Sequence, residues 1–120
     1  MPKKSGGRSS RNKGSRVERE MVHLHLDAGV PCERVPLSGA VGGSWSGDLK
    51  ILGGQLRAEV KARRGGSGFS TMEGWLKGND LLILKRDRSE PFVAMNWDTY
   101  IQLLHCFQRQ LEQARENCSQ

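Results

Sequence analysis

The residues of this chain best suited to chemistry are Asp48 and the triplet Glu59-Val60-Lys61. Their spacing is that of a β-hairpin, and a hairpin would bring two carboxylates and an ammonium to one point. Two carboxylates can hold a hard divalent cation such as Mg²⁺, which prefers oxygen ligands. An ammonium beside them can steady a water or the charge developing on a phosphate. Metal-assisted hydrolysis of a phosphodiester is the chemistry that this set could perform. The same strip has a plainer reading, in which Arg57, Glu59 and Lys61 are the wet face of an antiparallel hairpin. Two features weigh against it. The order of elements calls for helices over both faces of a sheet, and Asp48 begins the partner strand, within reach of Glu59.

The elements that must position these residues follow from periodicity and turn chemistry. Residues 1–14, rich in Gly, Ser, Lys and Arg, read as a disordered basic arm. Ser15-Arg16-Val17-Glu18 fits a capping box that opens a helix. Val17, Met21, Leu24 and Ala28 continue it at helical spacing, and Gly29 with Pro31 ends it. A short strand is expected at 32–35 and a flexible Gly/Ser loop at 36–47. Strands at 48–52 and 56–61 flank a Gly53-Gly54 turn. In the second of them Leu56, Ala58 and Val60 point one way and Arg57, Glu59 and Lys61 the other. Ser70-Thr71-Met72-Glu73 fits a second capping box. The apolar runs 81–84 and 92–95 read as buried strands joined by a turn at 87–90. A last helix begins near Trp97 with Asn96 as its cap. Its apolar face is Trp97, Ile101, Leu104, Phe107 or Gln108, and Leu111, and it frays after Glu112. The order helix, strands, helix, strands, helix predicts an α/β fold with a mixed central β-sheet flanked by helices.

A chain of 120 residues is expected to form one domain, here residues 15–120. No apolar run is long enough to span a membrane. The basic N-terminus lacks the apolar stretch of a secretory signal. Cys32, Cys106 and Cys118 are odd in number and show no zinc spacing, so the expected setting is the reducing cytoplasm. Lys3, Lys4, Arg8, Arg11, Lys13 and Arg16 equal the whole formal net charge of +6, because the rest of the chain holds 13 basic and 13 acidic residues. A basic arm on a neutral body points to a polyanionic partner such as nucleic acid, or to a merely solubilising terminus. His23 and His25 read as surface residues rather than a metal pair, since two residues apart on a helix they point in different directions. Trp75 and Trp97 read as core, Trp45 as a packing or base-stacking residue in the loop, and Arg86 and Arg88 as turn residues.

Glu18-Arg19-Glu20 in the first helix, Ser38-Gly39 in a Gly/Ser loop, Gly47-Asp48 and Glu59-Val60-Lys61 together resemble the PD-(D/E)XK nuclease superfamily. Within it the order and small size look most like archaeal-type Holliday junction resolvases and related phage nucleases. The resemblance covers about residues 14–95 and implies a restriction-endonuclease-like core. It implies that Asp48 and Glu59 bind Mg²⁺, with Mn²⁺ as a substitute and the Val60 carbonyl as a further ligand. Lys61 would orient the attacking water or stabilise the phosphorus centre. Glu18 would stand at the edge of the metal site, Arg19 near the scissile strand, and Ser38 near the cleaved strand. Gly47 replaces the proline of the family pattern, which leaves the aspartate ligand in place. Arg57, Arg63, Arg64 and the basic arm would contact DNA phosphates, making affinity salt-dependent. Symmetric cutting of a four-way junction would require a two-fold homodimer. Two rivals stand beside this expectation: a nuclease of the same scaffold acting on flaps, ends or duplex, and a non-enzymatic DNA-binding protein with structural carboxylates.

Overall fold

The computed structural model describes residues 6–35 and 48–118, with side chains from residue 14 onward. It is a mixture of α and β that divides at Ala62 into two compact units. In the first unit, helix α1 (Gly6–Asp27) is followed by strands β1 (Cys32–Arg34), β2 (Leu49–Ile51) and β3 (Leu56–Ala58). In the second, helix α2 (Ser67–Leu76) precedes strands β4 (Leu81–Leu84) and β5 (Phe92–Met95) and helix α3 (Trp97–Cys118).

The strands form two antiparallel sheets, β1-β2-β3 and β4-β5, where the sequence reading expects one mixed sheet. The reason is local. The connections from β2 to β3 and from β4 to β5 are short, and short connections favour antiparallel neighbours. Leu49 and Ile51 are the interior of the first sheet, 1% and 2% exposed, with Lys50 half-buried between them. Their partners Ala58 and Leu56 share that face, and α1 contacts β1. Val30, Leu52 and His25 complete the buried set among the described residues of this unit.

The turn from β2 to β3 fixes the register. Leu52, Gly53 and Gly54 all have positive φ, at 55°, 67° and 95°. The two glycines adopt that region without a Cβ clash, whereas Leu52 does so at a cost. Burial of its side chain, and donation of its N–H to the Pro31 carbonyl at 2.8 Å, offset that strain.

Several boundaries differ from the sequence reading. Helix α1 starts at Gly6, so 6–14 is helical rather than part of a disordered arm, and Ser15 lies inside the helix instead of capping it. Helix α2 starts at Ser67 with Gly66 as N-cap and no side-chain cap, so Ser70 is interior there too. Helix α3 continues past Glu112 to Cys118. Of its expected inner face, Leu104 is buried and Ile101, Phe107, Gln108 and Leu111 are half-buried, whereas Trp97 is exposed. Strands β4 and β5 are not covered on both faces: Ile83, Val93 and Phe92 are 66%, 54% and 72% exposed. Trp75 and Trp97 are exposed rather than core, and Trp97 packs its ring on Tyr100 with centroids 5.2 Å apart. His25, expected at the surface, is buried, and His23 is exposed.

Candidate metal centre

Asp48 is the hub of the first unit. Its N–H donates to the Ala58 carbonyl at 2.7 Å, and its own carbonyl accepts the Val35 N–H at 2.9 Å. Its side-chain Oδ2 accepts the Val60 N–H at 2.8 Å. The residue that opens β2 therefore ties the end of β1 to the exit of β3. It is bonded to the backbone on both sides of Glu59. Continuing the pairing of Leu49 with Ala58 by one step sets Asp48 opposite Glu59.

Beyond Ala58 the alternation persists although regular pairing stops. Leu56, Ala58 and Val60 are half-buried, whereas Arg57, Glu59 and Lys61 are exposed. Lys61 Nζ lies 3.2 Å from Glu59 Oε2, both side chains being more than half exposed. Asp48 is half-buried. The Val60 N–H holds Oδ2 of its carboxylate. A backbone N–H that holds one oxygen of a ligating carboxylate fixes the direction of the other, as outer-shell partners do in metal sites.

Glu18 is engaged by Arg34. Its Oε1 accepts both Nε and Nη2 of Arg34, at 3.1 and 3.0 Å, and Nη2 also donates to Ser15 Oγ at 3.3 Å. Ser15 and Glu18 are one turn apart on α1 and meet Arg34 together. Arg34 is the residue that sequence reasoning missed. It fastens α1 to β1 one position before Val35, whose N–H holds Asp48. The only hint in sequence is a cation in a strand at the edge of the core. Arg19 is exposed, and Glu33 pairs with Lys50 at 3.5 Å. Arg57 is exposed on β3, while Arg63 and Arg64 are exposed in the second unit. Arg86 is engaged in its own turn, donating through Nε and Nη2 to Ser89 Oγ. Lys3, Lys4, Ser38 and Trp45 lie outside the described residues, as do the side chains of Arg8, Arg11 and Lys13.

The donor set suits a hard cation. Asp48, Glu59 and the Val60 carbonyl offer only oxygen, and Mg²⁺ is commonly held by one or two carboxylates with water completing its shell. Among the described residues, no three His, Cys, Asp or Glu side chains gather closely enough to hold a metal ion. A cavity of about 260 Å³ is lined by Leu26, Pro31, Cys32, Glu33, Lys50 and Gly53, none of them in the expected catalytic set. Burial, and then the neighbouring Glu33 carboxylate, push the Cys32 thiol above its ordinary pKa, away from the reactive thiolate.

No protein-family model, curated protein or solved structure matches the chain at a significant level.

Proposed function

We propose that this chain is a Mg²⁺-dependent DNA endonuclease of the PD-(D/E)XK kind, with a restriction-endonuclease-like core and four-way junctions as its preferred substrate. The observation that carries the reading is the double anchoring of Asp48 around Glu59, through the Ala58 carbonyl and the Val60 N–H. Only the second of these bonds involves the carboxylate, and it holds Oδ2 to the backbone beside Glu59. Asp48 and Glu59, with the Val60 carbonyl, would hold Mg²⁺, and Mn²⁺ in its place. The bound cation would neutralise charge on the phosphate and lower the pKa of a water. The chain's own part is positional. Val60 aims Asp48 through its N–H, and Lys61 stands by to steady charge on the attacked phosphate. Glu18, held by Arg34, acts by fixing α1 to β1 rather than as a ligand.

Selection of a junction rests on the resemblance, as does a homodimer, whereas a cytoplasmic setting rests on the three cysteines, odd in number and scattered. Among the described residues, no helix is long and apolar enough to cross a membrane. Cleavage of a labelled four-way junction and a matched duplex, with Mg²⁺ and with chelator, tests the reading. Metal-dependent cutting favouring the junction is expected. Equal cutting of both would remove the junction preference and leave a nuclease. Cutting of neither, or full activity in Glu59→Ala, would leave the carboxylates structural.

A further inference from the structure

The β1-β2 ladder is flanked by a backbone bond at each end, and the two ends are held differently. At one end the Leu52 N–H donates to the Pro31 carbonyl at 2.8 Å, and at the other the Val35 N–H donates to the Asp48 carbonyl at 2.9 Å. The first end lies among apolar side chains, with Val30 and Leu52 buried. The second is held by charge. Arg34, next to Val35, donates through Nε and Nη2 to Glu18 Oε1, and through Nη2 to Ser15 Oγ.

Arg34 is directly opposite Leu49, so the two side chains share a face of the sheet, and Leu49 is 1% exposed. An arginine on the core face needs a partner for its charge, and Glu18 supplies it. Stability alone does not call for this pair, because apolar side chains of similar volume often hold such a contact as well or better. What the pair adds is direction. A planar guanidinium that meets one oxygen through two N–H groups fixes the register of helix on strand, where an apolar contact would allow sliding. That register is fixed one residue before Val35 and directly across from the residue that follows Asp48.

We propose that Arg34 is a positioning residue for the metal centre. With Glu18 and Ser15 it holds the end of β1 still, so that the Val35 N–H keeps the Asp48 main chain in place. The Asp48 side chain then meets the Val60 N–H at 2.8 Å, beside Glu59. The inference rests on the metal-binding reading of the carboxylates and extends it to what aligns them. Glu18 takes part through Arg34, with no contact to the ion.

Urea unfolding, Mn²⁺ affinity by electron paramagnetic resonance of the free ion, and amide hydrogen exchange test this together on the full chain. Arg34→Met is expected to weaken Mn²⁺ binding by about tenfold, the lower end of what loss of an outer-shell partner costs. It should also speed exchange of the Val35 and Val60 N–H groups more than that of Leu52. The double variant Glu18→Met/Arg34→Met removes both charges, so it should regain stability but not affinity. It carries the test if Arg34→Met alone does not fold. Glu18→Gln keeps an oxygen for Arg34 and should bind Mn²⁺ nearly as the parent does. Were Glu18 a ligand, Arg34→Met would free it and leave affinity equal or higher, and Glu18→Gln would lose as much as the double variant. Either result would overturn the proposal. So would recovery of affinity together with stability in the double variant, or exchange that rises equally at all three amides. If the parent chain binds no Mn²⁺ but loss of Arg34 speeds exchange at Val35 and Val60 over Leu52, Arg34 positions Asp48 and the metal reading fails. If the parent binds Mn²⁺ and loss of Arg34 changes neither affinity nor exchange, the metal reading stands and the positioning role falls.

Discussion

The two sheets are built from similar apolar material and end differently. In β1-β2-β3, Leu49 and Ile51 are almost fully buried and charged side chains mark the other side. In β4-β5, the runs Leu81–Leu84 and Phe92–Met95 are more continuously apolar, yet Ile83 and Phe92 are largely exposed. In the first unit α1 contacts β1, and Val30, Leu52 and His25 are buried along with Leu49 and Ile51. The lesson is that an apolar run specifies a strand but not its cover. Chemistry-bearing residues also separate by sheet. Both carboxylates, Lys61 and the Arg34 clamp belong to the first unit.

The largest effects should expose that contrast in stability. Leu49→Ala is expected to cost about 2–5 kcal/mol by loss of burial and the cavity left behind. Ile83→Ala, at an exposed position, is expected to stay within about 0.5 kcal/mol. Urea unfolding of the two variants reads both, and equal losses would mean that the β4-β5 face is as well covered as the first sheet. Next in size is the clamp. Arg34→Met removes two charge-assisted bonds from a Glu18 side chain that is 18% exposed, and is expected to cost about 1.5–3 kcal/mol. Adding Glu18→Gln should recover part of that loss. A double variant no better than the single one would deny the coupling. The smallest effect is kinetic. Cys32 should alkylate more slowly than the exposed Cys106 and Cys118, because burial and Glu33 disfavour its thiolate. As pH rises the lag should narrow, since the thiolate fraction of Cys32 grows only towards its raised pKa. Mass spectrometry of partly labelled chains checks the order, and first labelling at Cys32 would contradict it.

Much of the hairpin was legible in the sequence. Gly53-Gly54 marks the turn, and the alternation of Leu56, Ala58 and Val60 with Arg57, Glu59 and Lys61 sets the faces. The helix starts were not legible. Ser15 with Glu18 and Ser70 with Glu73 have the spacing of a capping box, but the same spacing places two residues on one face inside a helix. Ser15 and Glu18 use that shared face to meet Arg34. That pairing joins residues far apart in sequence, and no local pattern encodes it. Burial of His25 was hidden for a similar reason. Its Nδ1 donates to the Met21 carbonyl at 2.6 Å, so a polar ring is satisfied within its own helix and can enter the core. The exposure of β4 and β5 depends on what packs over their faces, which periodicity does not report.

The central claim is that Asp48 and Glu59, and not Glu18, hold a divalent cation. Titration of the full chain with Mn²⁺, followed by electron paramagnetic resonance of the free ion, tests it most directly. The account predicts saturable binding that is lost in Asp48→Ala and in Glu59→Ala and kept in Glu18→Gln. Binding that survives both of the first two substitutions, or that disappears with Glu18→Gln while the fold is intact, would contradict it.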